Sequence, residues 1–84
     1  MPYQIRFTKE AKKDIAKLAP KLKQKLKTLI QDTISINPYA GKKLVGDLAG
    51  FYSFRLSHQD RIVYTINSEQ NLIYIHRAKT HYGE

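Results

Sequence analysis

The sequence contains no cysteine and no tryptophan, one methionine, and only seven acidic residues among its 84. Without thiols there is no disulfide framework and no thiolate metal site. No segment approaches the ~20 consecutive apolar residues of a membrane-spanning helix. The N-terminal MPYQIRFT lacks the apolar core of a secretory signal. These absences together lead to the expectation of a soluble cytoplasmic protein with no membrane partner. The scarcity of acid leaves 15 Lys and Arg largely unopposed, for a formal net charge of +8. Over so small a surface that charge draws polyanions, nucleic acid first and an acidic protein second. An anionic membrane ranks third, because no amphipathic helix rich in Trp or Phe is present. A chain of this length builds one core and buries roughly 60% of its unfolded surface, so a single domain over residues 1–84 is expected.

The pattern starts with a strand. In YQIRFT, Tyr3, Ile5 and Phe7 fall on one face and Gln4, Arg6 and Thr8 on the other. Thr8 then suits a helix N-cap, with Glu10 in the first turn. Ala11, Ile15, Leu18 and Ala19 form one helical face until Pro20 interrupts it. Pro20 also fits the first turn of a second helix, whose stripe of Leu22, Leu26, Leu29, Ile30 and Thr33 runs to Asn37-Pro38. NPYAGKKLVGDLAG, with three glycines and a proline, is a long connection with a short extended piece expected around Leu44. FYSFRLSH alternates Tyr52, Phe54 and Leu56 against Ser53, Arg55 and Ser57. A turn at HQD leads to the strand RIVYTINS, and SEQN leads to NLIYIHR, whose apolar run suggests a strand covered on both faces. The fold class expected is α+β: an N-terminal strand, a two-helix hairpin, then an antiparallel sheet of three or more strands with the helices on one face.

Eight lysines lie between Lys9 and Lys27 against Glu10 and Asp14, so most belong to a solvated helical face. Arg55, Arg61 and Arg77 differ, because they fall in strand patterns where a planar guanidinium can be aimed at a phosphate from a rigid element. Arg61 could alternatively pair with Asp60 or Glu69. His76 reads as a hydrogen-bonded sheet histidine, and His58 sits in a turn. Tyr52, Tyr64 and Tyr74 fit sheet packing. His76 and His81 have no helical spacing and no convergent carboxylates, so no metal site and no cofactor are expected.

The run KKLVGDLAGFYSFRLSHQDRIVYTI, after a basic helical pair and before a strand with a short tail, resembles the RelE/ParE superfamily of bacterial toxins. The terminal His81-Tyr82 is similar to the ending of the YoeB branch. The resemblance implies a RelE-like fold, a ribosome-dependent endoribonuclease cutting mRNA, and a cognate antitoxin that holds it inactive. On that basis Arg61, opening RIVY, corresponds to the arginine at the scissile phosphate, Arg55 to a basic strand position of the RelE branch, and His81 and Tyr82 to the terminal pair. The chain departs from the pattern in two places. KKLVGDLA lacks the loop glutamate of YoeB-like enzymes, with Lys42 or Lys43 nearest its place, and Ser53 replaces a second lysine of the RelE branch.

Metal-free RNA cleavage needs a proton acceptor for the ribose 2′-OH, a donor for the leaving 5′-oxygen, and cations for the charge building on phosphorus. His81, with an ordinary imidazole pKa of ~6.5, suits proton transfer. Arg61 suits the crowded phosphate, Arg55 with Lys42 or Lys43 the flanking backbone, and Tyr82 a stacked base. Two other functions suit the same architecture: a ParE-like poison of DNA gyrase, and a non-catalytic RNA-binding module.

Overall fold

The computed structural model describes residues 2–80, with side chains as far as Ala78. Strand β1 (Gln4–Phe7) is followed by helices α1 (Lys9–Ala16) and α2 (Pro20–Leu29), then strands β2 (Lys42–Lys43), β3 (Tyr52–Arg55), β4 (Asp60–Asn67) and β5 (Leu72–Thr80). The five strands form one sheet in the order β1-β5-β4-β3-β2. Neighbours among β2 to β5 are antiparallel, but β1 lies beside β5 and parallel to it, with Ile5 opposite Ile73 and Phe7 opposite Ile75. The first strand thus completes the far edge of the later sheet.

Thr8 caps α1 as its side chain suggests: Oγ1 accepts from the Ala11 N–H at 3.1 Å. The same hydroxyl donates to the His76 carbonyl at 3.0 Å, tying the helix start to β5. Helix α1 ends at Ala16 with Lys17 as its C-cap, so Leu18 and Ala19 fall outside the helix expected to run to Pro20, and Pro20 opens α2 as its missing N–H allows. The expected stripe of α2 fails in its last turn. Residues Ile30–Ile34 form a π-turn, closed by the Ser35 N–H donating to the Ile30 carbonyl at 2.9 Å. The wider turn leaves Ile34 fully buried where α-helical spacing had pointed to Thr33. The Ser35 carbonyl then accepts from the Tyr3 N–H at 2.8 Å, so the helical end is fastened to the strand that began the chain.

Ala11, Leu26, Ile30 and Ile34 from the helical layer meet Leu56, Ile62, Tyr64, Ile73, Ile75 and Ala78 from the sheet. Each large aliphatic in that set contributes ~1.5–3 kcal/mol by leaving water. All eight lysines from Lys9 to Lys27 are exposed, as a solvated face requires.

Strand β5 departs from expectation in two respects. It is an interior strand, but only its helix-side face is covered; Tyr74 on the other face remains 42% exposed. A bulge also shifts the register against β4, where Val63 pairs with Arg77 and Tyr64 with Ile75, leaving His76 as the extra residue. Strict alternation from Ile73 and Ile75 would bury Arg77; with the bulge, Ala78 takes that place in the core. Arg77 instead turns to α1, where its Nε donates to Asp14 Oδ2 at 2.7 Å and an Nη to Oδ1 at 3.3 Å. It is therefore a structural arginine and not a phosphate ligand on the open face. Asp14 Oδ2 also accepts from the Ala78 N–H at 3.1 Å, standing in for a strand partner where β1 has ended.

Candidate nucleic-acid interface

The turn between β3 and β4 is locked by one short pair of side chains. Ser57 Oγ donates to Asp60 Oδ2 at 2.7 Å, and the Asp60 N–H donates back to Ser57 Oγ at 3.1 Å. The N–H groups of Leu56 and Ser57 both donate to the Asp60 carbonyl, at 2.8 and 3.0 Å. Asp60 is 7% exposed, so the turn is built around a covered carboxylate. Its geometry sets Arg55, the last residue of β3, directly opposite Arg61, the second of β4. Among the described residues Arg61 forms no ion pair with Asp60 or Glu69. Two guanidiniums on directly opposed positions repel, by ~0.2–1 kcal/mol in sheets, so packing alone does not favour this pair.

The third cation comes from the sheet edge. Lys42 on β2 is opposite Ser53 on β3, and Ser53 is opposite Val63 on β4. Lys42, Ser53, Arg55 and Arg61 share a shallow depression of about 280 Å³ with Ala40, Gly41 and Phe54. Lys43, the alternative to Lys42, pairs with Tyr52 and so lies on the opposite face of the edge strand, outside that lining. The extended piece falls at Lys42–Lys43 and not around Leu44 for a steric reason. A Cβ at Gly41 would collide with the Tyr64 hydroxyl and lie 2.9 Å from the Ser53 carbonyl oxygen, so only glycine lets the chain approach β3 there. Tyr64 is fully buried, and its hydroxyl donates to the Pro38 carbonyl at 2.7 Å. Burial pushes that hydroxyl up to about 12, keeping it protonated as a donor. Its ring stacks on Tyr52 at 5.8 Å, and Tyr39 meets Tyr52 edge-on at 5.9 Å. An aromatic column under the connection thus sets the position of Lys42.

His81 and Tyr82 lie outside the described residues. Among the described residues the depression is lined by cations, a serine and apolar groups, with no carboxylate and no imidazole. It can bind an anion such as a phosphate and stabilise added charge on it, while a proton acceptor must come from elsewhere in the chain or from the bound partner. Lys79 occupies the register position opposite Arg61 on β5, a placement sequence reasoning missed because the bulge changes the phase of the strand. The signal for it was Ala78, a small apolar residue between two basic ones. Among the described residues no group of three or more His, Cys, Asp or Glu could hold a metal ion, and no helix is long and apolar enough to cross a membrane.

His76 sits further along the same sheet face. Its Nε2 is 3.0 Å from Thr65 Oγ1, and the Phe51 ring stands edge-on to it at 5.0 Å. Burial lowers its pKa, which favours the neutral ring. It is the hydrogen-bonded sheet histidine expected, and it is not part of the depression.

Two helices on one face of a five-stranded sheet, with Lys42, Arg55 and Arg61 around one depression, define an α+β class of small basic proteins. Comparison with known proteins makes the class specific. Residues 5–83 match the family described as the ParE-like toxin of type II bacterial toxin-antitoxin systems. The toxin RelG of Mycobacterium tuberculosis is 35% identical over 79 residues, covering 93% of this chain and 90% of RelG. Among solved structures, the chain is similar to one in the RelBE2 toxin-antitoxin complex of M. tuberculosis, with 32% identity, a TM-score of 0.86, and 95% and 99% of the two chains covered. The YoeB dimer of Staphylococcus aureus is 31% identical, with a TM-score of 0.79 and 98% and 100% covered. The chain belongs to the RelE/ParE superfamily of type II toxins.

Proposed function

We propose that this toxin is a ribosome-dependent endoribonuclease that cuts mRNA by attack of a ribose 2′-OH on the adjacent phosphate. The observation that carries the reading is the depression in which Arg55, Arg61 and Lys42 converge without a balancing acid among the described residues of its lining. In this reading Arg61 stabilises the transition-state charge, Arg55 and Lys42 hold the flanking backbone, and Lys43 adds non-specific attraction from the other face of β2. His81 transfers a proton and Tyr82 stacks on a base. With no carboxylate at the depression among the described residues, much of the rate comes from the ribosome holding the 2′-OH in line with the leaving oxygen. Such a protein acts in the cytoplasm, and naked RNA is cut slowly or not at all.

The partner that restrains it is a cognate antitoxin. Similar chains occur in the RelBE2 complex and in a YoeB-YefM complex of S. aureus. An exposed lysine-rich helical face suits an acidic segment that folds on binding. The family description also favours a second reading, a ParE-like poison of DNA gyrase. Primer extension on message from cells expressing the toxin separates the two. Cuts within translated codons, lost in Arg61→Ala and on removal of residues 81–84 while the fold survives, support the ribonuclease. Intact message with DNA damage supports the poison.

A further inference from the structure

The sheet face that carries Arg55 and Arg61 continues past them. Thr65 follows Arg61 by four residues on β4, on the same side of the strand, roughly 13 Å further along it. Its register partner on β5 is Tyr74, and the partner of Tyr74 on β1 is Arg6. Thr65, Tyr74 and Arg6 thus form a row across three strands, on the side away from the helices.

Tyr74 differs from the other strand tyrosines. Tyr64 is fully buried and Tyr52 packs between Tyr39 and Tyr64, whereas Tyr74 is among the exposed large hydrophobic residues. Arg6 and Thr65 flank it on the neighbouring strands. The His76 ring lies 6.4 Å from it, tilted by 48°, and is itself held by Thr65 and Phe51. His76 follows Tyr74 by two residues and shares its face by simple alternation, before the bulge shifts the phase at Arg77. A lone aromatic in a polar frame is too small an apolar patch to seat a protein partner by burial. It is, however, a surface on which an unpaired base stacks, with an arginine alongside for the backbone. No described strand residue on this face is acidic, while Arg6, Arg55 and Arg61 are basic.

We propose that Tyr74, flanked by Arg6, is a stacking platform for an unpaired RNA base, seating the strand on one side of the phosphate held at Arg61. This rests on the ribonuclease reading and extends it: the RNA track runs diagonally across the side of the sheet away from the helices, from Arg55 to Arg6 past the buried Ser53 and Val63, and does not end at the basic depression. Tyr74 is a positioning residue, remote from the reacting atoms.

The test uses ribosomes programmed with message carrying photoreactive thiouridine at successive positions around the cut. Near-ultraviolet light should join one or two adjacent positions to the peptide containing Tyr74, in the parent and in Arg61→Ala alike. In single-turnover cleavage Tyr74→Leu, which keeps an apolar residue without a π-face, should raise the half-saturating toxin concentration about ten-fold. Its plateau rate should fall far less, and Tyr74→Phe should restore saturation. A Tyr74→Leu protein that saturates like the parent overturns the platform, as does a Tyr74 peptide joined only to ribosomal protein. Crosslinking at Tyr74 with uncut message would sink the ribonuclease reading and leave this contact standing. Cutting without the crosslink would do the reverse.

Discussion

Replacing Arg61 by glutamine should make the protein more stable while destroying its activity. Arg61 and Arg55 face each other across β3 and β4, Lys42 lines the same depression, and no acid lies in the lining among the described residues. Directly opposed like charges in a sheet cost ~0.2–1 kcal/mol. Glutamine retains part of the aliphatic stem and forfeits a few tenths of a kcal/mol in packing of this half-buried side chain. The net gain at low salt is about 0.3 kcal/mol, which at ~4–8 °C per kcal/mol for a domain of this size raises Tm by roughly 1–2 °C. The gain should shrink in 1 M salt, where the screening length falls to ~3 Å. Thermal melts of parent, Arg61→Gln and Arg55→Gln at low and high salt measure it directly. A drop of more than about 5 °C in Arg61→Gln at low salt would refute the reasoning, because it would make Arg61 a structural residue.

Four further outcomes follow from the packing. Tyr64→Phe leaves the buried Pro38 carbonyl without its donor and should cost ~1–3 kcal/mol in chemical denaturation, and Gly41→Ala should cost at least as much while lowering cleavage beyond the loss of folded protein, by displacing Lys42. Asp14→Ala strips both Arg77 and the Ala78 N–H of their acceptor. With Arg77 35% exposed the ion pair is partly screened, so ~2–4 kcal/mol is expected by denaturant titration, and Asp14→Asn should lose about half of that because it still accepts from the N–H. His76 has a folded pKa lowered by burial, so the unfolded chain binds the extra proton first; stability should fall as pH drops below ~6.5, and melts of His76→Gln should depend less on pH over that range.

How much of this was legible in the sequence depended on whether local pattern or long-range pairing decided the feature. Thr8 as a cap, Pro20 as a helix start and the alternation of Tyr52 and Phe54 are local, and they fold as their side chains dictate. The partner of β1 is not local: nothing in YQIRFT specifies a parallel seat beside a strand that begins 65 residues after the end of β1 at Phe7 (72 minus 7). The π-turn at Ile30–Ile34 and the bulge at His76 each change phase by one residue, which a fixed period cannot represent. They explain why Ile34 was missed and Arg77 misassigned. Arg55 and Arg61 are assignable to one site from their strand patterns and the family resemblance, and their direct opposition follows from the short polar turn between two alternating runs. Choosing between Lys42 and Lys43 required the register of β2, and that register follows from the contact of Gly41 with Tyr64, 23 residues apart (64 minus 41).

The central claim is that the sheet face promotes attack by the ribose next to the scissile phosphate. The most direct measurement is the end chemistry of the products from programmed ribosomes, using one message with ordinary ribose and one with a single 2′-deoxynucleotide at the cut. The account predicts fragments with a 5′-hydroxyl, labelled by polynucleotide kinase without prior phosphatase, upstream ends carrying a 2′,3′-cyclic or 3′-phosphate, and no cut in the deoxy message. Downstream fragments bearing a 5′-phosphate, or equal cutting of the deoxy message, would contradict it.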